Sequence, residues 1–566
     1  PVEEAWLGGD PDLAAGKTFV QSQTQQTSMM TTSLYADYEY SWNKHNFKVT
    51  AGMNTEYYYI NELIGKRYDV INENVPSINT ATGTSDLKGS SKEWATMGYF
   101  ARLNYDYEGR YLLEGNIRRD GTSRFRGNQR WGTFPYVSIG WNIAREAFWS
   151  PAEAYVNLLK LRFSYGSLGN QNTDNYYPTY SIQNITVGSV DAGGRWLLDL
   201  ANKSNIASSP GLVSSLLTWE RVTSYNAGLD FGAFNNRLNG YVEYYIRDTK
   251  DMVGPAEEIT PLVGASAPKM NNTSLRTKGW ELQLTWQDRI GKVGYHASFN
   301  LSDAQTEVTE YPNPDKTFYT KDGDGNTIEN YWKGKKLGEI WGFKTVGIAK
   351  TDEEMQSWIA QHDQSKLPNV GNNIWKAGDI MYANLDDKKG PSATDPKDLT
   401  IIGNYTPRFR FGFSLGADYK GFDINLMFQG VAKRDVWVGG DDRTAYSKGM
   451  IFWGINGGQW DSTGYEEHMD YFRPEGDEMG ANLNAYYPRP FIGSKQNQQV
   501  QSRYLQNAAY IRLKNIQIGY TLPKAWIQKA NLEKVRLFFS GDNLWTGTKM
   551  SKNFDPELIY QNGMSY

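Results

Sequence analysis

Arg408 to Lys420 reads RFRFGFSLGADYK, and its alternation decides the fold. Phe409, Phe411, Phe413, Leu415, Ala417 and Tyr419 fall on one face, while Arg408, Arg410, Gly412, Ser414, Gly416 and Asp418 fall on the other. After Gly421 the next run, FDINLMFQ, repeats the pattern. There Phe422, Ile424, Leu426 and Phe428 alternate with Asp423, Asn425, Met427 and Gln429. A period of two makes each run a strand with one apolar face, and the short turn between them makes a hairpin. The same unit recurs along the chain, with few helical patterns to cover it. One-faced strands in this number imply an antiparallel sheet closed into a transmembrane β-barrel, apolar face to lipid and polar face to a lumen.

Seven hairpins, or fourteen strands, can be read. The alternating apolar files are Leu34–Trp42 with Phe47–Met53, Tyr99–Tyr107 with Tyr111–Ile117, and Val137–Ile143 with Leu159–Tyr165. Tyr225–Phe231 with Leu238–Ile246 and Trp280–Trp286 with Val293–Leu301 follow. The 408–429 hairpin comes next, and Ile516–Leu522 with Val535–Phe539 is last. Between hairpins the expected loops are long: 58–92, 120–135, 169–217, 248–277, 303–407 and 431–506. Short turns on one rim and long loops on the other are the asymmetry of an outer-membrane barrel, with the short turns periplasmic. Tyr40, Trp42, Tyr107, Tyr111, Trp286, Tyr419 and Phe422 gather beside those turns and read as the periplasmic aromatic girdle. A soluble β-sandwich would bury the same aromatics between two sheets. It would not alternate such short and long connections.

Composition agrees. The 566 residues include 38 Tyr, 23 Phe and 19 Trp, the types that gather at membrane interfaces. Mean hydropathy is -0.63, too polar for a helical membrane protein but expected of strands that are half polar. No run of about 18 apolar residues is present to form a transmembrane helix. The net charge of -4 gives no basic stripe for nucleic acid. Cysteine is absent, which suits passage through an oxidising periplasm.

No catalytic constellation stands out, and the chain reads as a non-enzyme. His45, His296, His362 and His468 are scattered, without the spaced pair that binds zinc. Gly166-Ser167-Leu168-Gly169 lacks the G-x-S-x-G spacing of a nucleophile elbow. Gly16-Lys17-Thr18 ends like a phosphate loop, but Pro11 replaces its first glycine. Asp322-Gly-Asp324-Gly-Asn326 resembles the start of a calcium loop. Thr327 occupies the sixth position, where glycine is required, and Lys333 the twelfth, so a glycine-rich turn is the expectation. Neither a cofactor nor a metal is expected.

Five ordered blocks resemble the SusC/RagA family of TonB-dependent outer-membrane transporters. They are LEGNIRRDGTSRFRGNQRWGTFPYVSIGWNIAREAFW from Leu113 to Trp149 and KLRFSYGSLGNQ from Lys160 to Gln171, then WERVTSYNAGLDFG and NNRLNGYVEYYIRDTKDM within Trp219 to Met252. GDIMYANLDD and IGNYTPRFRFGFSLGADYKGFDINLMFQ follow from Gly378, and YLQNAAYIRLKNIQIGYTLP and SGDNLWTGTKMSKNFDPE from Tyr504. One departure is Asp386-Asp387-Lys388-Lys389-Gly390-Pro391, where the family often has an acidic, Asn/Gly-rich loop.

The resemblance implies a 22-stranded barrel with an N-terminal plug. On that count residues 1–566 are a partial β-barrel domain, approximately strands 8 to 21. The plug, the TonB box and the last strand are expected outside them, in a longer protein. The resemblance further implies import of nutrients such as oligosaccharides or peptides across the bacterial outer membrane. A TonB complex would energise it through the missing N-terminal part, a SusD-like surface lipoprotein would close over the mouth, and transporter–lipoprotein pairs would dimerise. Trp341, Trp437, Trp453, Trp460 and Tyr465, in the two longest loops, are the candidate contacts for substrate or lid. A passive outer-membrane porin and a secreted β-rich glycan-binding or adhesin protein are the alternatives. A porin needs no plug, and an adhesin needs both strand faces covered.

Overall fold

All fourteen strands are present. In chain order they are β1 Phe19–Trp42, β2 His45–Tyr68, β3 Ser85–Tyr107, β4 Tyr111–Thr122, β5 Trp131–Asn142, β6 Val156–Asn170 and β7 Glu220–Ala233. Then come β8 Leu238–Gly254, β9 Met270–Ile290, β10 Val293–Glu310, β11 Arg408–Tyr419, β12 Phe422–Lys433, β13 Tyr510–Thr521 and β14 Arg536–Thr548. Each is hydrogen-bonded to its neighbours in that order, and Val2–Glu3 adds a short antiparallel segment on β1, making a 15-stranded sheet. The structure, a computed structural model, describes residues 2–3, 18–72, 74, 76–173, 175–183, 185–186, 206–207, 209–254, 262, 267–321, 327–362, 364, 367, 374–385, 398–437, 466–490, 496–552, 554–560 and 563–564. No helix among them is long and apolar enough to cross a membrane.

The chain divides into two compact units, whose boundaries cut through strands rather than between them. The first comprises Pro1–Ile139, Ser164–Thr223 and Thr249–Asn272. In it β1, β2 and β3 pair antiparallel along almost their whole lengths, from Trp42↔His45 to Phe19↔Tyr68 and from His45↔Tyr107 to Arg67↔Ser85. The turns at Asn43-Lys44 and Glu108–Arg110 lie at one end of this ribbon and the 69–84 connection at the other, as the alternation requires. These strands hold 24, 24 and 23 residues, against about 9–11 needed to span a bilayer. The 58–92 segment is therefore less loop than expected, because β2 and β3 keep pairing well beyond lipid. The sequence hid this in Tyr57-Tyr58-Tyr59-Ile60, where alternation stops. Beyond the bilayer neither face is in lipid, so the pattern is no longer enforced.

The second unit comprises Gly140–Phe163, Ser224–Asp248 and Thr273–Tyr566. Its hairpins close at Phe234–Arg237, Gly291-Lys292 and Lys420-Gly421. Lys420 and Gly421 have φ of 46° and 91°, so both central residues are left-handed. That is the two-residue turn whose twist matches the flanking strands, and glycine makes its second position inexpensive. The loops 311–407 and 434–509 leave from the opposite strand ends.

Residue facing follows the alternation. On one face the Phe413 and Phe428 rings stack at 4.6 Å, and Phe422 lies 4.3 Å from Tyr520. On the other, Ser298 Oγ and Ser414 Oγ hydrogen-bond at 2.7 Å, Arg289 pairs with Asp418 at 3.1 Å, and the Arg536 guanidinium donates to Asp423 and Gln517. The apolar face is not covered by protein: Phe409, Leu415, Tyr419, Phe422 and Ile424 are exposed, as are Tyr40, Trp42, Tyr111, Leu113 and Ile117 in the first unit. An exposed apolar file of this extent is stable against hydrocarbon and not against water. Phe409 departs from ideal strand geometry. Its φ of 53° is left-handed for a bulky residue, and it sits where Arg408 pairs with Lys433 and Arg410 with Val431, the position at which β11 leaves the sheet for the loops.

The buried aromatic core lies in the loops instead. Phe318, Trp332, Phe343, Tyr382, Tyr487 and Tyr504 belong to one cluster in the second unit, and Phe125, Phe134, Leu217 and Trp219 form a smaller one in the first.

Leu415 stands about five residues above the Lys420-Gly421 turn, near mid-membrane. Leu415→Arg is expected to cost about 2–4 kcal/mol in folding of the full-length protein into vesicles, whereas Ser414→Ala, on the polar face, costs about 1 kcal/mol through its lost hydrogen bond. Urea titration of vesicle-folded protein reads both; equal costs contradict the facing.

Candidate functional site

The candidate site is the folded layer that the described residues of loops 311–407 and 434–509 build in the second unit. Short strand pairs stiffen it: 339–342 with 400–404, 345–348 with 380–382, and 435–436 with 506–507. A helix, α1 (Asp352–Gln361), is capped by Thr351, whose hydroxyl accepts the Glu354 N–H, and three acidic residues fill its first turn. That is the sequence chemistry a helix N-terminus favours. The helix buries Met355 into the layer.

The GDIMY run turns out to be the junction between the two loops. Gly378 has φ of 86° and packs so closely on Phe472 and Arg489 that a Cβ would meet them at 2.4 and 2.8 Å. Only glycine combines that backbone with that approach. Asp379 is fully buried. Its carboxylate accepts both guanidinium arms of Arg489, at 2.7 and 2.8 Å, together with the Asn497 amide and the Lys376 N–H at 2.9 Å each. A buried carboxylate is tolerable when paired and fully hydrogen-bonded in this way. Ile380 and Tyr382 are buried beside it. The Tyr382 hydroxyl donates to Gln496 O, and Gln364 bridges the Trp358 indole, Tyr382 N–H and Ile380 O. Burial pushes the Tyr382 and Tyr504 phenols well above their usual range, so both stay neutral donors.

A second polar knot ties the C-terminal block to β13. Arg512 pairs with Asp555 and Glu557 at 2.5 Å each, and Lys514 with Glu557 at 2.9 Å. Burial raises the Asp555 carboxyl, but the Arg512 hydrogen bond, the Glu557 N–H and the charges of Arg512 and Lys514 together outweigh it and hold the group below the usual carboxylate range. The buried Arg434 guanidinium donates to Tyr405 O and Ile559 O. These partners are far apart in sequence, and nothing in their local pattern announces the pairing.

Of the sequence candidates, Trp341 is half-buried. It sits edge-on to Phe318 at 5.2 Å and Trp332 at 5.5 Å, its indole N–H donating to Glu339. Trp437 is also half-buried against the same cluster. Trp453, Trp460 and Tyr465 lie outside the described residues, as do Asp322–Asn326 and Asp386–Pro391. Among the described residues no acidic and histidine group is arranged to hold a metal ion. The polar sheet face carries a pocket of about 340 Å³ walled by Tyr241, Glu281, Gln283, Ser298, Asn300 and Ser302. Hydroxyls, amides and one carboxylate there suit a polar, hydrogen-bonding occupant.

The chain is similar to known proteins in sequence and in fold. The family described as TonB dependent receptor-like, beta-barrel, matches residues 5–544. TonB-dependent receptor P3 of Formosa agariphila is 28% identical over 539 residues, covering 93% of this chain and 49% of that protein. TonB-dependent receptor SusC of Bacteroides thetaiotaomicron is 23% identical over 509 residues, covering 89% of this chain and 45% of SusC. The solved RagAB peptide transporter superposes with a TM-score of 0.72 at 21% identity, covering 97% of this chain and 55% of that one. The chain thus spans about half the length of the curated relatives it matches.

Arg489→Ala leaves the Asp379 carboxylate buried without its cation, a loss of about 3–5 kcal/mol. Hydrogen exchange at 378–382 and 496–501 is expected to accelerate by orders of magnitude, while β10–β13 amides stay protected. Unchanged loop exchange would show that the pair does not hold the layer.

Proposed function

The chain belongs to the TonB-dependent receptor β-barrel family of the outer membrane, and from that membership we propose that it is the barrel portion of an active nutrient importer. The observation that carries the reading is the pairing of a lipid-facing sheet with a separately cored outer loop layer. A passive pore needs no such layer at its mouth. A layer stapled by Asp379–Arg489 suits a surface that must hold its shape while a lid opens and closes.

The cargo is a polar oligomer, oligosaccharide or peptide. The similarity to SusC and to a transporter titled as one for peptides supports that range. The polar pocket beside Glu281 and Asn300 is consistent with either. The partners in this reading are a SusD-like surface lipoprotein as lid, the TonB complex as energy source through a plug domain, and a second transporter–lipoprotein pair. The half-buried edges of Trp341 and Trp437, with Trp453, Trp460 and Tyr465, are the proposed lid or cargo contacts. Rigid aromatic faces in a loop layer are the surfaces interfaces use.

The test uses cells carrying the full-length transporter with its lipoprotein. Uptake of labelled oligopeptides and oligosaccharides is expected to require TonB. Deletion of Ile455 to Glu478 is expected to lower uptake at least about tenfold, the scale of losing roughly 1.4 kcal/mol of lid or cargo contact, with barrel assembly intact. Uptake that persists without TonB contradicts active import. Unchanged uptake with the lipoprotein still co-purifying contradicts the role given to this loop.

A further inference from the structure

We infer that the polar face of the second unit carries a docking site for a short peptide with both termini free, its ammonium end at Glu281 and its carboxylate end at Arg410. The inference rests on the reading of the chain as an importer of polar oligomers and narrows that cargo to one class.

Other arginines of this face are neutralised by the sheet itself. Arg162 is held by Asp230 and Glu243, Arg289 by Asp418, and Arg536 by Asp423. Glu281 and Arg410 are different: neither has a hydrogen bond or an ion pair among the described residues. They lie on one transverse row, in which Glu281 pairs with Ser302 across β9 and β10, and Ser302 with Arg410 across β10 and β11. Two strand spacings set their backbones about 10 Å apart. The row stands about ten residues above the Gly291-Lys292 turn, roughly 34 Å along the strand. A strand tilt of about 40° brings that to roughly 26 Å of height, at the outer end of an apolar band about 25 Å tall. The row therefore lies toward the loop side, where cargo arrives.

The wall between the two charges is polar and has donors and acceptors to spare. Tyr241, Glu281, Gln283, Asn300 and Ser302 belong to the pocket of about 340 Å³, a size that takes a small ligand. Gln283 and Asn300 face each other one row closer to the turn. Neither amide, nor the Ser302 hydroxyl, is bonded within the described chain, whereas Ser298 below them is bonded to Ser414. The Arg410 end is the more positive one. Arg410 repels the nearby Arg434 guanidinium, which is buried and donates only to the backbone carbonyls of Tyr405, Pro556 and Ile559. No carboxylate is bonded to either cation.

An unpaired carboxylate and an unpaired guanidinium at this separation, with amides beside them, match the two ends of a peptide. Three residues of extended chain span about 10 Å. The ammonium meets the Glu281 carboxylate, the terminal carboxylate meets the planar Arg410 fork, and the amides of Gln283 and Asn300 serve the peptide groups between. A neutral saccharide can use the amides and the hydroxyl, but it leaves Arg410 without an anion.

The experiment uses the full-length transporter purified with its lipoprotein in detergent. Isothermal titration reads binding of trialanine, N-acetyl-trialanine, trialanine amide and maltotriose to the wild type, E281Q and R410Q. The wild type is expected to bind trialanine and to lose about tenfold, roughly 1.4 kcal/mol, when either terminus is blocked. E281Q is expected to bind free and acetylated peptide equally while still preferring the carboxylate to the amide, and R410Q to do the converse. Blocked termini that cost the wild type nothing overturn the site, as does a loss common to every ligand in both variants. Maltotriose binding as tight as that of trialanine overturns the peptide assignment. The import reading fails on a different result, uptake of labelled peptide that persists without TonB. Uptake that needs TonB but ignores blocked termini removes only this site. Heat-modifiable mobility on unboiled gels reports assembly. Glu281 and Arg410 make no bond on which the sheet depends, and if one variant fails to assemble, the other with its blocked peptide decides.

Discussion

Hydrocarbon offers no partner to a backbone N–H or C=O, so every such group at membrane depth must be satisfied by the protein itself. The long antiparallel pairings from β1 to β4 and from β9 to β14 are the consequence. Once the backbone is committed to ladders, side chains can only alternate between two environments. The apolar file then meets lipid, and the polar file is left to pair with itself across strands. Ser298 with Ser414 and Arg536 with Asp423 are such pairs. The core of an ordinary globular protein has no place within a single sheet, and it moves to the loops.

That displacement explains the loop layer. Residues 311–407 and 434–509 are too long to cross a barrel mouth as simple turns, and the described residues among them fold as a layer with its own aromatic centre. The layer depends on a few buried polar junctions. Asp379 is the clearest, since one carboxylate binds Arg489 and Asn497 from the later loop and the Lys376 N–H from its own. Gly378 allows the close approach that seals the junction.

The sheet was legible because lipid enforces period two. RFRFGFSLGADYK could be read directly, and its facing, turn and partner strand are all as the alternation requires. Legibility faded wherever lipid no longer constrains the chain. Tyr57-Tyr58-Tyr59 continues β2 without alternating, so its pattern reads as loop where the chain is strand. The left-handed backbone at Phe409 left no mark in the pattern either, because a left-handed phenylalanine is a compromise made by its surroundings rather than by its own preference. Pairings such as Asp379 with Arg489 or Arg512 with Asp555 join residues tens of positions apart. Family resemblance pointed to the blocks that contain them without giving their roles. Trp341 and Trp437 stand out in the sequence only as aromatics in the two longest loops, and their half-buried packing is a property that this pattern cannot convey.

The absence of cysteine allows a direct test of the alternation. Single cysteines placed in turn from 411 to 428 in the full-length protein, spin-labelled and reconstituted in vesicles, would be probed for collisions with oxygen and with a water-soluble nickel chelate. Labels at 411, 413, 415, 422, 424 and 426 are predicted to favour oxygen, and those at 412, 414, 416, 423, 425 and 427 the chelate, with a period of two. Equal access of the chelate to both sets would contradict the placement of this sheet in lipid.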